Sequence, residues 1–129
     1  MKTVAQKLRI KPGTSVWLSD PGRLALIEPL PDGVEHADGP AGCATALVFA
    51  DDAAGLRAVL DRHGDDLHGP AAVWIAYPKG GRSDVNRDSL WPILGEHGMR
   101  PIGQVAIDET WSALRFRPLE PGETFSGGR

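Results

Sequence analysis

Lys79 is the residue best placed to do chemistry. It follows the apolar run Ala72–Tyr77 and Pro78, precedes the paired glycines Gly80 and Gly81, and is the only lysine beyond Lys11. Ala72–Ala76 reads as a strand buried on both faces, and Pro78 ends its hydrogen-bond ladder. In an open α/β sheet, ligands sit in the crevice beyond the carboxyl ends of the strands. An ammonium there, with the amides of Gly80 and Gly81 forming an anion nest, would bind a phosphate or carboxylate. The plain alternative is a glycine turn in which Lys79 pairs with a surface acid such as Asp84. Tyr77 offers either a hydroxyl donor or a packed ring with a wet tip. Arg82, Asn86 and Arg87 are further donors or simply a solvated helix entry. Asp20, Asp51 and Asp52 each follow a candidate strand, although turn formation accounts for Asp20 and helix capping for the other two. The expected site for a small anionic ligand is Asp20, Tyr77, Lys79, Gly80 and Arg82.

A second cluster lies near the end of the chain. Trp111–Arg117 alternates, with Trp111, Ala113, Arg115 and Arg117 on one face and Ser112, Leu114 and Phe116 on the other. Arg115 and Arg117 could pair with Asp108 or Glu109 and stack on Trp111. Asp108, Trp111, Arg115 and Arg117 then form an anion platform or, the better reading, a homo-oligomer interface. An edge hairpin must otherwise be protected from open pairing. The bland reading is a hairpin face stabilised by cross-strand pairs.

Other chemistries find no support in the residues. His36, His63, His68 and His97 show no metal-ligand spacing, and His63 and His97 suit helix C-termini. Cys43 is the single cysteine, without a clear base partner. Neither G-x-S-x-G nor G-x-x-x-x-G-K-[ST] occurs. No cofactor and no metal are called for. An enzyme acting on a small anionic substrate, with Lys79 as electrostatic stabiliser and Asp108 or Asp51 as base, is the alternative to a binding domain.

The elements that must position these groups alternate. Val4–Ile10 reads as a short helix ended by Lys11-Pro12-Gly13, and Ser15–Ser19 as a strand followed by an Asp20-Pro21-Gly22 turn. Arg23–Glu28 starts a helix that Pro29 and Pro31 cut short, and Val34–Ala37 is a weak strand. Ala44–Ala50 is a buried strand, and Ala53–Arg62 is a helix capped by Asp51 or Asp52. After the Ala72–Ala76 strand comes the helix Leu90–His97, capped at Asn86 or Asp88 so that Pro92 falls early. Met99–Ile107 and Trp111–Arg117 make an antiparallel hairpin. The expected fold is a single-domain, three-layer Rossmann-like α/β sandwich over 1–118. Its sheet is mostly parallel with a C-terminal antiparallel hairpin, and 119–129 is a flexible tail.

Composition bounds the partners. The chain has 129 residues, enough for one core, and a net charge of −3 that argues against a nucleic-acid face. Nothing reads as a signal peptide or membrane span, so a cytoplasmic location is expected.

The Lys11-Pro12-Gly13 entry to Val16–Leu18, with the helix-then-hairpin ending, resembles a class I methyltransferase-type Rossmann fold. More closely, YPKG at 77–80, NRDSLW at 86–91 and VAIDETWSALRFRP at 105–118 resemble a small, mainly actinobacterial family of uncharacterised proteins, from LRIKPG onward. The second resemblance implies a fold and no activity. The first implies a G-x-G loop after the first strand and a ribose-binding acid after the second. Here the loop is Asp20-Pro21-Gly22-Arg23, and only Glu35 or Asp38 could serve as the acid. A shortened, degenerate Rossmann-like binding or regulatory domain is therefore expected, with S-adenosylmethionine-dependent methyl transfer as the alternative.

Overall fold

A computed structural model describes residues 3–120 and 122. Most of the expected tail, 119–129, lies outside the described residues; within them, the Leu119 amide donates to the Gly98 carbonyl at 2.8 Å.

The strands are β1 (Ser15–Leu18), β2 (Glu35–His36), β3 (Thr45–Phe49), β4 (Ala72–Pro78), β5 (Met99–Ala106) and β6 (Trp111–Pro118). They form one sheet in the order β2-β1-β3-β4-β6-β5. β1 pairs in parallel with β2 and β3, and β3 with β4, whereas β6 runs antiparallel to both β4 and β5. The alternation of β6 sets its register: Ser112 lies opposite Tyr77 and Arg115 opposite Trp74. The hairpin ends the sheet on this side, as expected, but with its second strand turned inward. β6 fills the interior between β4 and β5, β5 forms this edge, and β2 forms the opposite one.

Helices α2 (Ala53–His63) and α3 (Arg87–Gly95) cover one face of the sheet. Leu56 and Leu60 of α2 and Leu90, Ile93 and Leu94 of α3 meet Ala46, Val48, Val73, Ile75, Leu114 and Phe116. α2 starts at Asp52, whose carboxylate accepts the Gly55 amide, and α3 starts at Asn86, which accepts the amides of Asp88 and Ser89. Pro92 sits in the second turn of α3, not the first, and has no N–H to offer the Asp88 carbonyl.

The opposite layer is thin. It consists of one helical turn, α1 (Val4–Lys7), a 3-10 segment at Pro21–Ile27, and irregular chain. Both are shorter or tighter than the helices expected there, since Lys11-Pro12-Gly13 and Pro29 leave little room for more. Leu8, Ile10 and Ile27 pack from this layer against Leu18, Leu47, Phe49, Trp74 and Ala76. The Trp74 indole N–H donates to the Leu8 carbonyl at 2.9 Å, fixing the turn to the sheet.

Candidate functional site

The chain leaves β1 toward β2 and returns on the other side of β1 as β3, so the strand order reverses between the carboxyl ends of β1 and β3. This is where an open α/β sheet ordinarily holds its ligand. Here Arg23 occupies it. Its Nε lies 3.1 Å from Asp20 Oδ2 and its Nη2 lies 2.9 Å from Asp51 Oδ2. The guanidinium also sits over Trp111, 4.8 Å from the ring centroid, and over Phe49 at 5.4 Å. The two rings meet edge-on at 5.8 Å.

The adjoining start of α2 is equally occupied. A helix N-terminus attracts anions because its first amides lack partners. Asp84 Oδ1 accepts from the Ala53 amide at 2.7 Å, and Asp52 Oδ1 accepts from the Gly55 amide at 2.7 Å. Ser83 Oγ donates to the Asp51 carbonyl at 2.5 Å, holding the 83–84 segment in place. The chain's own carboxylates stand where a phosphate would settle.

Farther along the same edge, beyond β4 and the β5–β6 pair, a groove of about 580 Å³ remains open. Tyr77, Lys79, Gly80, Asn86, Arg87, Gln104, Val105, Ala106 and Ser112 line it. The Tyr77 ring is packed in the core, and its hydroxyl accepts from Gln104 Nε2 at 3.0 Å. Gln104 Nε2 also donates to Ser112 Oγ at 3.2 Å, and Ser112 Oγ donates to the Val105 carbonyl at 3.1 Å. The amide of Gln104 thus serves two hydroxyls, which leaves its carbonyl oxygen and the Tyr77 proton for something else. Lys79 Nζ donates to the Asp108 carbonyl at 2.5 Å, and its amide donates to Thr110 at 2.8 Å. Two ammonium protons are left. Gly80 and Gly81 both have positive φ, 73° and 72°, which is why this tight turn carries two glycines.

The structure brings Tyr77, Lys79 and Gly80 together and puts Asp20 elsewhere, in the Arg23 bridge across the β1–β3 crevice. Arg82 reaches the Thr110 hydroxyl at 3.5 Å. Lys79 does not pair with Asp84, which caps α2 instead. The proposed base positions are also engaged: Asp51 by Arg23, and Asp108 by the Thr110 and Trp111 amides at 2.8 and 2.7 Å.

The hairpin platform does not form as one cluster. Asp108 and Trp111 stand at the carboxyl edge of the sheet, whereas Arg115 Nη2 donates to Ala71 at the start of β4. Arg115 lies four residue steps along the strand from Trp111, roughly 13 Å. Arg117 Nη1 donates to the Pro118 carbonyl. The exposed edge is protected by Pro101 and by a register shift between Pro101 and Gly103 in β5.

Arg23, Gln104 and Ser112 were missed in the sequence. The β6 alternation puts Ser112 on the face of Leu114 and Phe116, but nothing local marks Gln104. Among the described residues no group of three or more His, Cys, Asp and Glu side chains could hold a metal ion. Cys43 is buried, and burial pushes its thiol pKa up.

No family model matches the chain, and no curated protein does. A solved structure from Streptococcus agalactiae, described as a protein in the NADB-Rossmann superfamily, is similar over 92% of this chain and 68% of that chain, with a TM-score of 0.56 at 11% identity. At that identity the likeness establishes a Rossmann-like α/β fold. Among the described residues no helix is long and apolar enough to cross a membrane.

Proposed function

We propose that this chain is a binding or regulatory domain, without catalysis of its own, that takes a small anionic ligand in the groove beyond β4, β5 and β6. The observation that carries this reading is the convergence of the Tyr77 hydroxyl, the Lys79 ammonium, the Gln104 carbonyl and Ser112 on one open groove. The crevice between β1 and β3, by contrast, is already filled by Arg23 and its two carboxylates. Lys79 supplies charge, and Tyr77 and Gln104 supply one donor and one acceptor that fix orientation.

A thermal-shift and calorimetric panel of nucleotides, dinucleotides, S-adenosylmethionine and simple anions tests the reading. A ligand that binds the native state raises stability by RT ln(1 + [L]/Kd), so millimolar ligand reveals weak binding. Binding lost in Lys79→Ala and weakened in Tyr77→Phe supports the groove. Binding indifferent to both removes it.

A degenerate S-adenosylmethionine-dependent methyltransferase is the second reading, favoured by the helix followed by an antiparallel hairpin at the end of the sheet. The Asp20-Pro21-Gly22-Arg23 segment counts against it, because it folds into a 3-10 turn closed by Arg23. The resemblance to a mainly actinobacterial family adds no activity to either reading. Self-association through the hairpin, the third element of the proposal, must proceed across an edge interrupted by Pro101 and the Pro101/Gly103 bulge. Light scattering at high concentration decides it.

A further inference from the structure

Four cations that do not line the groove gather on the thin-layer side of the sheet: Lys7, Arg9, Lys11 and Arg115, the larger of their hollows meeting the groove at Gln104 and Val105. None of them lies within 4.0 Å of a carboxylate among the described residues, although acids outnumber lysine and arginine 17 to 14 in the whole chain. Arg9 and Arg115 together border two adjoining hollows, of about 400 and 240 Å³. Lys7 lines the larger and Lys11 the smaller, and no acid lines either.

Three local facts show that this grouping is held against resistance. Arg9 ends α1 in the left-handed region with φ 63°, the only described residue other than glycine with positive φ. Its amide bonds to Gln6 and the next amide, of Ile10, bonds to Ala5, a helix ending that ordinarily takes glycine at the Arg9 position. Arg115 has a buried Nε with no partner, although its Nη2 reaches the Ala71 carbonyl. Desolvation, and after it the charge of Arg9, push the Arg115 pKa below the ordinary arginine value. Two like charges beside one another, one carrying an unsatisfied buried donor, are stabilised by a multivalent anion between them.

We propose that Arg9 and Arg115, flanked by Lys7 and Lys11, bind the phosphate or pyrophosphate group of a small molecule whose body lies in the larger hollow. Trp74 and Val105 line that hollow, together with Ile102, which at 44% exposure is the most exposed of the described large hydrophobic side chains. A ligand body seated there covers apolar surface that the fold leaves open, while the guanidinium forks take the phosphate oxygens. Concave hollows of this size suit a small molecule and not a nucleic-acid strand, which needs a continuous basic stripe.

The test is titration calorimetry with inorganic pyrophosphate at low ionic strength, on wild type, Arg9→Gly, Arg115→Gln and Lys79→Ala. Arg9→Gly separates folding from binding, because glycine is the better residue at a left-handed helix end. The expected result is a higher melting temperature for Arg9→Gly together with at least tenfold weaker pyrophosphate binding. Arg115→Gln weakens binding similarly, and both losses persist in the Lys79→Ala background, where the groove no longer contributes. Saturation of wild type that persists in both arginine variants overturns the proposal, as does loss confined to Lys79→Ala. No wild-type binding at millimolar pyrophosphate overturns it too. Competition by a short single-stranded oligonucleotide far stronger than that of pyrophosphate overturns the small-molecule assignment in favour of a nucleic-acid surface.

Discussion

The two halves of the sheet's carboxyl edge use similar residues and end in opposite conditions. Beyond β1 and β3, Asp20, Asp51, Asp52 and Asp84 meet Arg23 and the first amides of α2, and every one of these carboxylates has a partner. Beyond β4 and the hairpin, Lys79, Tyr77 and Gln104 keep protons and a carbonyl to spare. Place in the fold therefore does not by itself make a binding site. A crevice at the reversal of strand order is only as available as its polar groups are unpaired, and here the usual place has been closed from within.

That contrast can be broken most severely at Phe49, which is buried beneath Arg23 and edge-on to Trp111. Phe49→Ala is expected to cost about 3 kcal/mol in urea denaturation, within the range for truncating a buried aromatic. Arg23→Ala comes next. It leaves Asp20 and Asp51 facing each other and bares Trp111, at a cost of about 1–2 kcal/mol after allowance for the partial exposure of all three groups. Asp20→Asn combined with Arg23→Ala should recover part of the loss by removing one of the two stranded charges. Asp84→Ala frees the Ala53 amide and should cost about 1 kcal/mol, the usual worth of a capping contact. If it also creates phosphate binding at the start of α2, the carboxylate was standing in for an anion.

Smaller effects are expected on the open side. Tyr77→Phe removes one hydroxyl from a groove-lining network and should cost less than about 1 kcal/mol, while weakening any ligand of the groove. Cys43 gives the smallest effect, and it depends on pH. Because the native state holds the thiol proton more tightly than the unfolded chain, the native state binds more protons as pH rises past the ordinary thiol value of about 8.5. Stability therefore falls in that alkaline window, and Cys43→Ala should flatten the fall in denaturation curves collected from neutral to alkaline pH.

Much of the frame was legible in the residues. Unbroken apolar runs located β3 and β4, the Asp52 and Asn86 caps located α2 and α3, and strict alternation gave β6 its two faces. Those signals are local, and so they survive without knowledge of neighbours. The insertion of β6 between β4 and β5 is not local, because hairpin partners look alike whichever strand meets the rest of the sheet. The site was half legible for the same reason. Tyr77, Lys79 and Gly80 are contiguous and arrive together. Gln104 joins them only across the hairpin, and Asp20 is taken away by Arg23, whose partner Asp51 is 28 residues distant. Arg9 was unreadable as a special residue, since only its backbone angle reveals that arginine stands where glycine is at ease.

The placement of β6 has a consequence for how the chain comes into being. The strand that stitches β5 to the parallel core is made after both of its neighbours, so a nascent chain that has reached residue 110 carries β4 and β5 with no partner between them. Both would present open edges, the arrangement most prone to join another chain. β6 is then a closing seam, and its contacts to residues made long before it predict slow, cooperative closure of the sheet instead of stepwise growth. Truncated products ending before Trp111 should accumulate as aggregates, while those that include β6 should not.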